Sequence, residues 1–223
     1  MSLKIYGTKM SFPADKVLFA ANYLNLDYEF IDMNMMKGDH KAPEYMKTHL
    51  FGKVPAIDDN GFTLFESNTI IRYLADKAKS DIYPEDFKKR IIVDQWLDFI
   101  LSHVHQAITR IAFNRMFARN IPGMEYDEKS VAFGLELLDK YLPVIEEKIK
   151  EQGNLACSKF TIADISLFAT LEPSEAAEID LSKYPSLSKW RQDLRSQDWY
   201  QKVYVSFEAN LKEKMAAMMA ASK

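Results

Sequence analysis

The chain carries one cysteine, Cys157, among 223 residues. No disulfide can form within it, and cysteine this scarce fits a reducing compartment. Glycine is scarce too, with seven residues, which disfavours a large all-β fold built on tight turns. No apolar run is long enough to span a bilayer, and no basic segment followed by an apolar stretch marks a secretory leader. A net charge of −3, with 27% charged residues, leaves no excess that would indicate nucleic acid or an anionic membrane as a partner. There is no phosphate-cradling glycine loop. His103 and His105 stand two apart on a predicted helix, point to nearly opposite sides and cannot share a metal. No other group has ligand spacing, so no metal is expected. Cys157 is far in sequence from the first helix, which argues against thiol–disulfide exchange.

What is present divides into two kinds of pattern. Leu3 to Tyr6 alternates as a strand. Ser11-Phe12-Pro13-Ala14-Asp15 has a capping serine, a first-turn proline and an acid, and so opens a helix that Asn25 can close in the left-handed conformation. Tyr28 to Ile31 is a second strand, expected to run parallel to the first. Residues 33–50 form a polar connection with room for a short helix over Pro43 to Thr48. Asn60-Gly61 is a hairpin signal ahead of the strand Phe62 to Phe65, and Ser67 is the natural cap of the next helix. The order βαβ-α-ββα is the thioredoxin-like pattern. After a linker at 80–86 no strand pattern recurs. Long helices are predicted over Phe87 to Asn120 and Asp127 to Gln152, broken by Pro122-Gly123 and closed by Gly153. Thr161 to Asp164 is a capping box, with Phe160 placed as a hydrophobic staple. It opens a buried helix reaching Ala176, followed by helices from Tyr184-Pro185 and from Trp199 to about Met219. The fold class is therefore α/β plus all-α: residues 1–79 thioredoxin-like, 80–86 a linker, 87–223 helical.

One stretch brings three chemical features together. Pro55 lacks an N–H and tolerates a cis bond, which lets Val54 turn its backbone outward. Glu66 supplies a carboxylate. Ser67 supplies a hydroxyl at a helix N-terminus, which favours anions. Together they suit a small peptide with a free carboxylate and a free amine, paired along Val54 like one more strand. Ser11 adds a hydroxyl at a second helix start. A thiol of pKa ~8.5 is mostly protonated at neutral pH, and only its thiolate is a good nucleophile. One hydroxyl donor with a helix N-terminus supplies the roughly 1.4–2.7 kcal/mol needed to lower that pKa by one to two units. Ser11 can equally be a cap and nothing more.

Val-Pro, an Asp/Gly turn and Glu-Ser opening a helix resemble the glutathione-binding half of the cytosolic glutathione transferases, most of all the phi class, with theta and beta classes next. The resemblance implies a glutathione transferase fold and assigns Ser11 as the catalytic hydroxyl. Tyr6 is a lesser candidate, because some classes use a tyrosine at the end of the first strand. Lys37-Gly38-Asp39-His40-Lys41 resembles the family's Gly-Glu-His-Lys segment, which implies that His40 and Lys41 hold the glycine carboxylate of glutathione. Phe51-Gly52-Lys53-Val54-Pro55 is similar to Phe-Gly-Gln-Val-Pro, with Lys53 in place of glutamine. Lysine only donates, so that contact changes character. The implied glutathione set is Ser11, Phe12, His40, Lys41, Lys53, Val54, Pro55, Glu66 and Ser67. Phe51 stands where several classes insert an aromatic into a partner subunit; burial in the core is the alternative.

For the electrophile the candidates are Phe12 and Met35 from the first half, with Arg110, Phe113, Met116 and Phe117 from the long helix. His103 belongs to the same search, since 103, 106, 110, 113 and 117 share a face of an ideal helix. Core or dimer packing is the competing account of each. The expected activity is conjugation of glutathione to hydrophobic electrophiles, with reduction of organic hydroperoxides, in a cytoplasmic homodimer. Glutathione is a co-substrate and no other cofactor is expected. The rival is a non-catalytic carrier of the same fold.

Overall fold

The computed structural model describes residues 3–9, 11–121 and 123–203. Strands β1 (Leu3–Gly7), β2 (Tyr28–Asp32), β3 (Ala56–Asp59) and β4 (Phe62–Phe65) form one sheet in the order β2-β1-β3-β4. β1 pairs parallel with β2 and antiparallel with β3, and β3 pairs antiparallel with β4. The parallel pair requires a crossover, supplied by α1 (Phe12–Tyr23). The antiparallel pair closes through Asn60 and Gly61, both at positive φ as the hairpin signal demands. Strand alternation sorts the sheet's two faces. Leu3, Ile5 and Ile57 join the main core, while Tyr6, Ile31 and Ala56 face Tyr45 of α2 (Pro43–Thr48) in a smaller cluster.

Helix α1 is apolar nearly all round, and its position explains why. It packs against α3 (Ser67–Lys77) and against α7 (Ile162–Leu171), with Phe19 set among Phe168, Trp199 and Tyr200. Every residue of α7 is buried, which is the signature of a helix enclosed on all sides. The core thus runs unbroken from the sheet through α1 into the helical half. Segment 80–86 is pinned to it: Ile82 is buried, and its carbonyl accepts from the Ile162 N–H at 2.9 Å.

The capping box that opens α7 is present. The Thr161 N–H and hydroxyl both donate to Asp164 Oδ2 at 2.8 Å, and the Leu155 N–H donates to Oδ1 at 2.7 Å. Phe160 packs on Tyr23 and Trp199. The helix stops at Leu171, short of the expected Ala176, because Pro173 cannot donate to the ladder; a 3₁₀ turn, Glu172–Ser174, takes over.

The long helix of the second half is continuous but not uniform. α4 (Phe87–Phe99) and α5 (His105–Ala112) are separated by a π segment, Ile100–Val104, and a second π segment, Phe113–Ala118, comes after α5. α6 (Glu128–Gln152) is capped by Asp127 and ended by Gly153. α8 spans Pro185–Arg195 and α9 spans Asp198–Gln201. The expected continuation of the last helix to Met219 lies outside the described residues from 204 onward, as does Pro122.

Replacing Asp164 by alanine orphans three buried donors. At about 1–3 kcal/mol for each unsatisfied group, partly recovered by relaxation, the expected loss is roughly 3 kcal/mol, or about 6–12 °C in melting temperature for a chain of this size. A thermal melt followed by circular dichroism measures it.

Candidate functional site

Ser11 caps α1 with β-region backbone angles, its Oγ accepting from the Ala14 N–H at 3.4 Å. That bond uses an oxygen lone pair. Among the described residues the hydroxyl proton has no acceptor, so Ser11 is both a cap and a free donor at a helix N-terminus. Tyr6, by contrast, packs its ring on Tyr45 at 5.4 Å.

The second element of the site is a loop and a helix start. The Val54–Pro55 peptide is cis, and the ladder to β1 and β4 begins only at Ala56. The N–H and carbonyl of Val54 have no backbone partner among the described residues. The Lys53 side chain is exposed, while its carbonyl accepts from the Tyr45 hydroxyl. Gly52 holds this loop against the neighbouring turn. Its φ is +57°, and a Cβ there would lie 2.6 Å from the His40 carbonyl oxygen. His40 and Lys41 sit on that turn, the 3₁₀ segment Asp39–Lys41, with His40 Nδ1 buried and unpartnered. Behind the loop, the His49 ring stacks on Phe65 at 4.7 Å, immediately before Glu66. Burial pushes the His49 pKa down, against the opposing pull of Glu66.

At the start of α3 the cap is one residue earlier than the sequence pattern indicates. Glu66, not Ser67, is the N-cap, with φ 72° and ψ 108°. The strained angle keeps its carboxylate exposed and makes Ser67 the first helical residue, itself buried. Lys16 of α1, a residue that no local motif marks, bonds here. Its Nζ donates to Ser67 Oγ at 3.2 Å and to Asn68 Oδ1 at 2.8 Å. The only signal in the sequence is its place on an otherwise apolar helix face. Through Lys16 the starts of α1 and α3 are brought together. Ser67 is thus tied to α1 through Lys16, and the turn that carries His40 is held against the Val54 loop at Gly52.

The helical half presents a different side chain from the ones expected. His105, the first residue of α5, places its ring 4.8 Å from that of Phe12. Its Nδ1 is buried without a partner. Burial first, and the Lys16 charge second, push its pKa down to about 4, so the ring is neutral at pH 7. The residues expected on one face have differing surroundings. His103 packs on Phe99 and on Tyr141 of α6. Arg110 bonds Ser130 Oγ and lies over the Phe133 ring, both on α6. Met116 is 2% exposed in the main core, Phe113 and Phe117 pair with each other, and Met35 is exposed. His103 lies inside the first π segment and Phe113, Met116 and Phe117 inside the second, where the spacing of an ideal α-helix no longer sets which residues share a face. Cys157 lies in the α6–α7 loop, its Sγ donating to the Lys159 carbonyl at 3.4 Å.

A four-stranded thioredoxin-like domain with a cis-proline before β3, followed by a helical domain packed on its first helix, defines a two-domain protein of the glutathione transferase fold. Comparison with known proteins agrees. The pattern described as "Glutathione S-transferase, N-terminal domain" matches residues 1–76, and "Glutathione S-transferase, C-terminal domain" matches residues 99–198. A probable glutathione S-transferase GSTF2 of Oryza sativa subsp. japonica is 31% identical over 205 residues, covering 90% of this chain and 95% of that protein. The structure of glutathione S-transferase-I bound with lactoylglutathione superposes with a TM-score of 0.84 at 29% identity, covering 91% of this chain and 98% of the other. Glutathione transferase F7 from Populus trichocarpa gives a TM-score of 0.82 at 29% identity, with 90% and 97% covered. The chain belongs to the glutathione S-transferase family, and these plant relatives are of its phi class.

Two tests address the architecture of the site. Gly52→Ala sets a Cβ against the His40 carbonyl in a left-handed conformation, which costs at least about 1–2 kcal/mol; thermal melting reads the loss. His105 is expected to remain neutral from pH 9 down to about pH 5. Because its folded pKa is depressed, its contribution to stability is present above pH ~6.5 and is lost as pH falls toward about 4. An NMR titration of the His105 ring measures this directly.

Proposed function

We propose that the protein is a glutathione transferase that joins reduced glutathione to hydrophobic electrophiles and reduces organic hydroperoxides. The observation that carries this is the free Ser11 hydroxyl at the α1 N-terminus; the Val54 backbone, which has no backbone partner among the described residues, and the helix start at Glu66–Ser67 support it. In this reading the peptide backbone of glutathione pairs with Val54. Its γ-glutamyl carboxylate meets the start of α3, and its ammonium meets Glu66. His40, Lys41 and Lys53 receive the glycine carboxylate. The Ser11 hydroxyl then donates to the sulfur and favours the thiolate. The thiolate attacks an electrophilic carbon, expelling a leaving group or adding to a double bond, or attacks the terminal oxygen of a hydroperoxide. There the O–O bond breaks, the departing alkoxide takes a proton and leaves as an alcohol, and the sulfur becomes a sulfenic acid that a second glutathione converts to the disulfide and water. Phe12 and His105 form the apolar wall nearest the sulfur. Positioning and thiolate stabilisation supply the rate.

Residues 1–79 then serve as the glutathione-binding domain and 87–223 as the domain that completes the electrophile site. A homodimer belongs to the same reading. Phe51 is 70% exposed, ringed by His49 and Phe65, so core burial is not its role in the single chain, and a partner's pocket is the natural seat for it. Among the described residues no helix is long and apolar enough to cross a membrane, and a cytoplasmic location is proposed on the cysteine content.

Ser11→Ala is expected to lower kcat/KM toward a generic aromatic electrophile by roughly 10- to 100-fold and to raise the pKa of bound glutathione by about one to two units. A full conjugation rate with an unshifted thiol would remove the assignment, and binding without turnover in the unmodified protein would make it a carrier instead. Phe51→Ser is expected to convert the dimer to monomer in sedimentation velocity.

A further inference from the structure

The most unusual group in the molecule is the Lys16 ammonium. It is 1% exposed, and its two acceptors are both uncharged: the Ser67 hydroxyl and the Asn68 amide oxygen. No carboxylate lies within ion-pair distance of it among the described residues. A buried ammonium without a counter-charge is costly, and the usual response is loss of its proton. The groups facing it are few. Glu66, at the cap of α3, favours the charged form, Arg72 on α3 opposes it, and His105 on α5 is neutral near pH 7. The α7 helix contributes only Ser166, whose hydroxyl donates to the same Asn68 oxygen at 3.3 Å.

We propose that Lys16 is a positioning residue whose missing counter-charge is the γ-glutamyl carboxylate of glutathione, and that docking of this carboxylate at Ser67 is coupled to uptake of one proton on Lys16. The proposal rests on the reading of the Glu66–Ser67 groove as the seat of that carboxylate. From behind, the ammonium fixes the Ser67 hydroxyl as a donor toward the groove. It accepts no bond itself, so the hydroxyl's own proton is left for the ligand. Burial sets the Lys16 pKa at about 7 in the free protein. An arriving anion raises it, the amine takes its proton from solvent, and affinity falls as pH rises above that value.

The experiment is calorimetric titration with S-methylglutathione, which has no thiol proton to release, at pH 7.0 in buffers of different ionisation enthalpy. The unmodified protein is expected to take up roughly half a proton per site, falling toward zero near pH 5.5, where Lys16 is already charged. Two variants, one at Lys16 and one at His40, which the same reading places on the ligand, separate the sources. Uptake is expected to persist in His40→Gln and to vanish in Lys16→Met, with roughly tenfold weaker binding in the latter at pH 6.5. Binding without uptake, or uptake lost in His40→Gln and retained in Lys16→Met, overturns the role of Lys16 and leaves the glutathione site standing. Failure of the unmodified protein to bind S-methylglutathione overturns both. The measurement on the unmodified protein and on His40→Gln decides the question even if Lys16→Met does not fold.

Discussion

One buried polar knot ties the molecule together. Lys16 reaches from α1 to the first two residues of α3, and Asn68 extends the connection by donating to the Leu97 carbonyl of α4 at 3.1 Å. Ser166 closes it from α7. Four helices from both halves of the chain thus meet at one amide side chain. In a water-free interior such bonds are strong when satisfied and costly when broken, so they fix the relative placement of α1 and α3 more sharply than apolar packing alone. Everything the site needs depends on that placement, because the two helix starts it aligns carry Ser11 and Ser67.

The site itself is mostly backbone. Glu66 and Gly52 are both at positive φ, and among the described residues Val54 has no backbone partner. Backbone of this kind survives only where its surroundings over-determine it. Here the surroundings are the sheet ladder on one side and the His49–Phe65 stack on the other. From the helical half, the neutral His105 ring lies against Phe12 of α1.

Local signals carried much of this structure because they are local in physics as well. The Asn60-Gly61 turn, the Thr161–Asp164 box, the Asp127 cap and the short helix Pro43–Thr48 each depend on residues within a few positions of one another. Signals failed where a side chain's neighbours come from far away. Lys16 looks like a solvated cation until α3, 51 residues later, is folded over it. The long helix looks uniform until its two π segments interrupt the regular spacing and α6 packs against Arg110.

The amino-acid order alone determined the βαβ-α-ββα pattern, the all-helical second half and the hydroxyl at the first helix start, since periodicity and capping are properties of short windows. Tertiary structure alone decided which residue caps α3, which histidine faces Phe12, and that a lysine is buried with no carboxylate at ion-pair distance among the described residues. Those outcomes depend on dielectric surroundings and on helix phase, and both are set only when distant segments close on one another.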